Sequence, residues 1–276
     1  MPLVKANGIE LYYEEHGRGE PLLLMAATGW PGSVWQLEQV PIFEPYYRVI
    51  VYDQRGVGRS ARPDHDYTVD LLADDALGLL RAIGAEPAHL FGFSMGGRVA
   101  QAMVLKSPTS VRRLVLAATS PGRGENRSGI SLEIALALGR LGYGLEFWVD
   151  HLDSRDFPFS PEFRARHPEK VRALVECVYE NQPPLKLYLR HVLARGSHSA
   201  GDRLSEIQAP TLVMVGSGDR GLGVSVDHLE SARFMARTIP SAELAVVEGA
   251  HHLFPWEAPE QTNQLVLDFL QRRLAT

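Results

Sequence analysis

Short apolar runs alternate with longer amphipathic segments over the first 120 residues of the chain. Short runs rich in Val, Ile, Leu, Tyr and Phe are typical of strands. Between two of them, Thr68–Ile83 repeats leucine near helical spacing and ends before Gly84, which predicts a crossover helix. The strands predicted here are Ile9–Glu15, Leu22–Ala27, Arg48–Tyr52, His89–Phe93 and Arg113–Ala118.

The strand pattern stops after Ser120 and resumes at Thr211. Three helices are predicted between these points, over Ser131–Leu152, Glu169–Asn181 and Leu185–Arg195. We interpret residues 121–208 as a helical cap inserted into a core that comprises residues 1–120 and 209–276.

After the predicted cap, strands and helices alternate again. They are predicted at Thr211–Val215, His228–Thr238, Glu243–Val247 and Pro259–Leu274, in the order strand, helix, strand, helix. This alternation is typical of a mostly parallel sheet with crossover helices. The predicted fold class is therefore α/β, with a mostly parallel central sheet, flanking helices and an inserted helical cap.

Composition narrows the classes of partner. The formal net charge of −5 provides no broad basic surface for nucleic acid, and no apolar run reaches the length of a membrane helix, about 18 residues. We expect a small-molecule partner, no nucleic acid and no membrane, in a monomer or a homodimer. The N-terminal segment lacks a secretory pattern and the single cysteine, Cys177, cannot form an internal disulfide, so a cytoplasmic location is predicted.

The segment Gly92-Phe93-Ser94-Met95-Gly96 lies where a predicted strand ends and a helical pattern begins. A serine on such a tight turn needs small residues two positions away on each side, and the glycines supply them. The following helix directs unpaired N–H groups at the place where an oxyanion would form. Ser94 is therefore the candidate nucleophile.

A serine hydroxyl needs a base, and that base needs an orienting acid. His251 and His252 follow the last predicted strand, at the edge of the sheet where sites are built. Asp219 directly follows the strand at Thr211–Val215 and has glycines beside it, whereas no carboxylate follows the strand that ends at Ala118. Asp219 is the preferred acid, and both histidines are candidates for the base.

Five segments together resemble the α/β-hydrolase superfamily, and most closely its small esterase, lactonase and non-haem haloperoxidase branch. The segments are 29–33, 53–60, 92–97, 216–219 and 249–252. The resemblance favours His252 as the base, because Glu257 and Pro259 follow it at the family's usual spacing, and His251 then stands where a glycine is usual.

The resemblance also implies an oxyanion hole, formed by the backbone N–H groups of Met95 and Trp30. In the loop that carries Trp30 the chain departs from the family, since Thr28 replaces the usual histidine. The loop is therefore expected to be braced differently. The Trp30 ring would either form an apolar wall of the site or serve packing alone. Asp53–Ser60 is interpreted as a turn without chemistry.

The implied function is a serine hydrolase that cleaves carboxylic esters or lactones of modest size through an acyl-enzyme on Ser94. A mainly apolar pocket is expected from the cap residues Ile130, Leu132, Ile134, Leu138, Leu141, Tyr143, Phe147 and Trp148. No cofactor and no metal are expected. The alternatives are a carbon–carbon bond hydrolase, a cofactor-free perhydrolase and, from another class, a ligand receptor built on the same fold.

Overall fold

A computed structural model describes residues 2–122, 144–145, 159–219 and 227–272 of the protein. In this part of the chain, one sheet has the strand order β1-β2-β4-β3-β5-β6-β7-β8. The strands are β1 (Leu3–Ala6), β2 (Ile9–His16), β3 (Glu20–Met25), β4 (Tyr47–Tyr52), β5 (Ala88–Phe93), β6 (Val111–Ala117), β7 (Thr211–Gly216) and β8 (Ala242–Val247). Strand β2 pairs antiparallel with β1 and β4, and the other pairs are parallel. The predicted mostly parallel sheet is confirmed.

Helices follow most of the strands. They are α1 (Val40–Phe43), α2 (Val69–Ala82), α3 (Met95–Lys106), α4 (Pro161–Arg166), α5 (Pro168–Asn181), α6 (Leu185–Ser197), α7 (His228–Thr238), α8 (Phe254–Glu257) and α9 (Pro259–Gln271). The predicted crossover helix begins after Thr68, whose side chain accepts the Leu71 N–H (3.1 Å). Pro259 lies in the first turn of α9, as predicted.

The two faces of the sheet carry separate apolar clusters, because successive side chains of a strand point to opposite faces. Leu23 and Met25 of β3 join helices α2, α3, α6 and α7 on one face. Leu22 and Leu24 pack on the other face with α1, α4, α5, α8 and α9. The flanking helices expected from the sequence are therefore present on both faces.

The segment between β6 and β7 contains helices α4, α5 and α6. The predicted helices Glu169–Asn181 and Leu185–Arg195 correspond to α5 and α6. The predicted helix Ser131–Leu152, apart from residues 144–145, and the eight apolar residues assigned to the pocket lie outside the described residues. The division into a core and a cap at residues 121–208 stays a prediction.

The described ranges contain no helix that is both long and apolar enough to cross a membrane. The cytoplasmic location stays a prediction.

Candidate active site

Ser94 lies on a sharp turn between β5 and α3. Its backbone has φ +53° and ψ −113°, a combination that residues with side chains adopt at a cost. A Cβ on Gly92 would lie 2.5 Å from the Gly96 carbonyl oxygen, and a Cβ on Gly96 would lie 2.1 Å from the Met25 carbonyl oxygen. The turn therefore requires glycine at both positions, for the steric reason inferred from the sequence.

Asp219 and His252 meet at the carboxyl edge of the sheet because β7 and β8 are parallel neighbours. The Asp219 N–H donates to the Gly216 carbonyl (3.0 Å), and this turn directs the carboxylate towards the loop after β8. His252 Nδ1 lies 2.8 Å from Asp219 Oδ2. Because an ionised carboxylate only accepts, this contact fixes the proton on Nδ1 and leaves Nε2 of His252 with a lone pair.

The Asp219 carboxyl is 3% exposed, so water contributes little to its solvation. Burial opposes its ionisation, but the adjacent His252 and His228 imidazoles and their hydrogen bonds outweigh burial and hold the pKa of Asp219 well below its usual range. The group is therefore a carboxylate over the whole working range of pH.

The His252 ring packs against Phe93, with 5.3 Å between the ring centroids. Phe93 directly precedes Ser94, so the imidazole and the hydroxyl lie at the same end of β5. Among the described hydrogen bonds there is none between the Ser94 hydroxyl and His252. Such bonds are often long until substrate binds, so the arrangement agrees with a nucleophile and its base.

His251 has a different position from its neighbour. Its ring lies against Gly218, where a Cβ would be 2.1 Å from Cδ2 of the imidazole. Its backbone N–H donates to Glu257 Oε2 (2.9 Å), and the Ser160 N–H donates to Glu257 Oε1 (3.1 Å). Of the two candidate bases, His252 contacts the acid. Glu257 holds in place the loop that carries His251 and His252, called the histidine loop below.

The two predicted oxyanion donors lie on different elements, Met95 after β5 and Trp30 in the loop after β3. The Met95 N–H belongs to the first turn of α3, where amides lack an intrahelical acceptor. The Trp30 N–H donates to the Ala27 carbonyl (3.1 Å) across a turn that contains Gly29 at φ +68°. In this conformation the Trp30 N–H is engaged within its own loop, and the oxyanion roles of Trp30 and Met95 stay predictions.

The same loop is braced without the family's usual histidine. Arg195 Nη1 of α6 lies 3.4 Å from Thr28 Oγ1. Asp53, which is 1% exposed, accepts the Gly32 N–H at 2.8 Å and the Arg59 N–H at 2.9 Å. The turn at residues 53–60 thus supports the loop that carries Trp30.

Aromatic rings pack beside the turn that carries Ser94. Trp30 packs against Phe93 at 6.2 Å and against Trp256 at 5.6 Å between centroids. Trp35 packs against Phe91 at 5.0 Å and is fully buried. Trp30 is the partly buried member of the group. Its ring therefore both packs in the cluster and borders the site.

His228 contacts the candidate acid, although no pattern in the sequence predicts it. This residue begins α7, and its Nδ1 lies 3.0 Å from Asp219 Oδ1. The side chains of Asp219, His228 and His252 have ligand atoms within 4.8 Å of one another, a set that could hold a metal ion. Both imidazoles use Nδ1 towards the carboxylate, as hydrogen-bond donors do. The sequence offers no signal for this contact, apart from a histidine nine residues after the acid.

The family model described as "alpha/beta hydrolase fold" matches residues 23–259. A 2-hydroxy-6-oxononadienedioate/2-hydroxy-6-oxononatrienedioate hydrolase of Pseudomonas putida is 30% identical over 278 aligned residues, covering 95% of this chain and 92% of the relative. A non-heme chloroperoxidase of Kitasatospora aureofaciens is 28% identical, covering 99% and 100%. The solved structure of a thermophilic esterase from Thermogutta terrifontis superimposes with a TM-score of 0.83 at 28% identity, covering 98% and 97%.

Proposed function

The chain belongs to the α/β-hydrolase family, in its branch of small esterases, lactonases and non-haem haloperoxidases, and from this premise we propose that it is a serine hydrolase of carboxylic esters or lactones. The observation that carries the proposal is the 2.8 Å contact between His252 Nδ1 and Asp219 Oδ2 beside the strained turn at Ser94. Together these residues provide a base whose hydrogen is on Nδ1 and whose Nε2 can accept a proton. The base lies at the same end of β5 as the Ser94 hydroxyl, which the sharp turn presents at the edge of the sheet.

In the first half of the reaction, Ser94 Oγ attacks the substrate carbonyl and His252 Nε2 accepts the hydroxyl proton. Asp219 stabilises the imidazolium through Nδ1. The carbonyl oxygen becomes an oxyanion, which accepts hydrogen bonds from the Met95 N–H and, once its turn bond to Ala27 is shared or released, from the Trp30 N–H. The intermediate collapses when His252 returns the proton to the leaving alcohol.

In the second half, a water molecule attacks the acyl group on Ser94. His252 Nε2 again accepts the proton, and the same backbone donors stabilise the second oxyanion. Collapse releases the acid and returns the proton to Ser94. A lactone is a cyclic ester and follows the same steps, except that its leaving alcohol stays attached to the acyl chain. Every proton in this scheme is moved by a protein side chain, so the scheme calls for no cofactor.

A mainly apolar substrate of modest size suits the aromatic border of the site. The partly buried Trp30 ring, which packs against the buried Phe93 and Trp256, provides an apolar surface beside the turn at Ser94. The similarity to a thermophilic esterase supports an ester as the substrate class.

Hydrolysis of p-nitrophenyl esters and of lactones with short to long acyl chains tests the proposal. We expect multiple turnovers by the wild type and a loss of kcat of at least about 1,000-fold in Ser94→Ala. Ser205→Ala, which changes an exposed serine, is the matched control and should keep wild-type kcat. Equal hydrolysis by the Ser94→Ala variant would overturn the proposal, and wild-type binding of these compounds without turnover would favour a ligand receptor.

Carbon–carbon bond hydrolysis is the second candidate function. It is favoured by the 30% identity to the Pseudomonas putida hydrolase, whose named substrate contains keto and carboxylate groups but no ester. The same nucleophile, base and acid serve both reactions. Turnover of such a keto-dienoate in the absence of turnover of any ester would select this candidate.

A further inference from the structure

A second imidazole contacts the carboxylate that orients the proposed base. His228 Nδ1 lies 3.0 Å from Oδ1 of Asp219, while His252 Nδ1 lies 2.8 Å from Oδ2. The two rings lie 4.7 Å apart and are tilted by 42°. Each oxygen of the buried carboxylate therefore faces one histidine.

The start of α7 fixes the position of His228. Asp227 caps the helix by accepting the Glu230 N–H (3.0 Å), so His228 is the first helical residue. The His228 side chain is 14% exposed, similar to that of His252 at 13%. A capped helix end thus holds this imidazole beside the carboxylate with little freedom to turn away.

The ionised carboxylate determines the proton positions on both rings. Because Asp219 only accepts, His228 and His252 both carry hydrogen on Nδ1. Rotation of the carboxylate about its Cβ–Cγ bond would weaken the contact with the base. A donor on the second oxygen opposes this rotation.

We propose that His228 is a positioning residue that holds Oδ1 of Asp219, so that Oδ2 stays directed at Nδ1 of the base His252. The inference rests on the proposed function, since it assigns His228 a part in hydrolysis. His228 acts through Asp219 and is not assigned any contact with substrate. Its removal therefore affects kcat more than KM.

The kinetic test compares His228→Phe, which keeps a ring but has no donor, with His228→Asn, whose amide nitrogen replaces Nδ1. We expect kcat to fall about tenfold or more in His228→Phe with KM within about twofold, and His228→Asn to recover most of the loss. His167→Asn, on an exposed helix end, is the matched control.

Proton NMR of the wild type tests the geometry without any substrate. Two strongly deshielded Nδ1–H resonances are expected, one of which disappears in His228→Phe while the other shifts. If that variant does not fold, His228→Ala replaces it. A single deshielded resonance in the wild type, or wild-type kcat in the variant, would overturn the inference.

The two proposals fail in different ways. Hydrolysis that survives in Ser94→Ala contradicts the proposed function, while the two resonances would still report the contact of His228 with Asp219. Hydrolysis that is lost in Ser94→Ala but unaffected in His228→Phe contradicts the role of His228 alone.

Discussion

At the scale of single residues, the turn at Ser94 stores strain that its neighbours must balance. A non-glycine residue at φ +53° costs of the order of 1–3 kcal/mol. Thr119 Oγ1 donates to the Ser94 carbonyl at 2.7 Å, and the Ser94 N–H donates to the Ala117 carbonyl at 2.9 Å. These bonds from the end of β6 hold the serine backbone in its unfavourable conformation.

Replacing Gly96 by alanine tests the close approach at this turn. The new Cβ would lie 2.1 Å from the Met25 carbonyl oxygen, so the backbone must shift. We expect Gly96→Ala to lower the free energy of unfolding by about 1–3 kcal/mol and to reduce hydrolysis strongly. Gly78→Ala, in the middle of α2 with its nearest neighbour at 3.2 Å, should stay within about 1 kcal/mol of wild type in urea unfolding. Wild-type stability of Gly96→Ala would contradict this account.

The site residues differ in how well the sequence predicts them. Ser94 and its two glycines follow from local sterics, and local patterns are visible in one sequence. The choice of His252 over His251 required the spacing to Glu257, because two adjacent histidines cannot be separated by pattern. His228 could not be found, since its contact with Asp219 depends on where the start of α7 lies in the folded protein.

At the scale of elements, Asp53 joins the loop after β4 to the loop after β3. Its buried carboxylate accepts one N–H from each, those of Arg59 and Gly32. A buried donor left without an acceptor costs about 1–3 kcal/mol. The turn at residues 53–60, for which the sequence predicts no chemistry, thus positions the loop that carries Trp30.

Asp53→Asn places an amide NH2 against one of these two N–H groups. We expect the variant to lose about 1–3 kcal/mol of unfolding free energy and to hydrolyse esters with lower kcat, because the loop beside the oxyanion site moves. Urea unfolding and steady-state hydrolysis measure the two effects. Asp202→Asn, at an exposed position, provides the control. Unchanged kcat in Asp53→Asn would show that this carboxylate does not influence hydrolysis.

Among the elements, those with a long apolar pattern were predicted and the short ones were not. Strand β1 spans Leu3–Ala6 at the sheet edge and is largely exposed, so its pattern is weak. Helices α1, α4 and α8 contain 4, 6 and 4 residues, too few to show a helical period. Prolines near the start of each stand in the first turn, although proline in an unassigned segment is usually taken as a break.

At the scale of the whole molecule, a buried histidine connects α6 to the core. His191 is fully buried, and its Nε2 lies 2.8 Å from the Arg55 carbonyl oxygen. The Arg55 guanidinium in turn forms a two-point ion pair with Asp75 of α2. Burial lowers the pKa of His191 to about 4, so the imidazole stays neutral in the folded protein.

This histidine makes stability depend on pH. The unfolded chain takes up a proton on His191 below about pH 6.5, whereas the folded protein does so only near pH 4. The contribution is therefore complete above pH 6.5 and is lost as the pH falls towards 4. We expect the wild type to lose about 2 kcal/mol of unfolding free energy from this group between pH 7 and pH 5. In urea unfolding, His191→Gln, which keeps a donor but does not titrate, should show a correspondingly smaller decrease; an identical decrease would contradict the assignment.

The bridging carboxylate of Glu257 has a consequence for protein engineering. One oxygen receives an N–H from the histidine loop and the other receives the N–H of Ser160, at the entrance to α4. A chimera that exchanges the segment between β6 and β7 for that of another hydrolase removes the second donor unless its own backbone returns to the same place. Its design should therefore begin with the backbone at Ser160. If the N–H at this position no longer reached Glu257, the loop that carries the base could shift, and an effect of the new pocket on activity could not be distinguished from that shift.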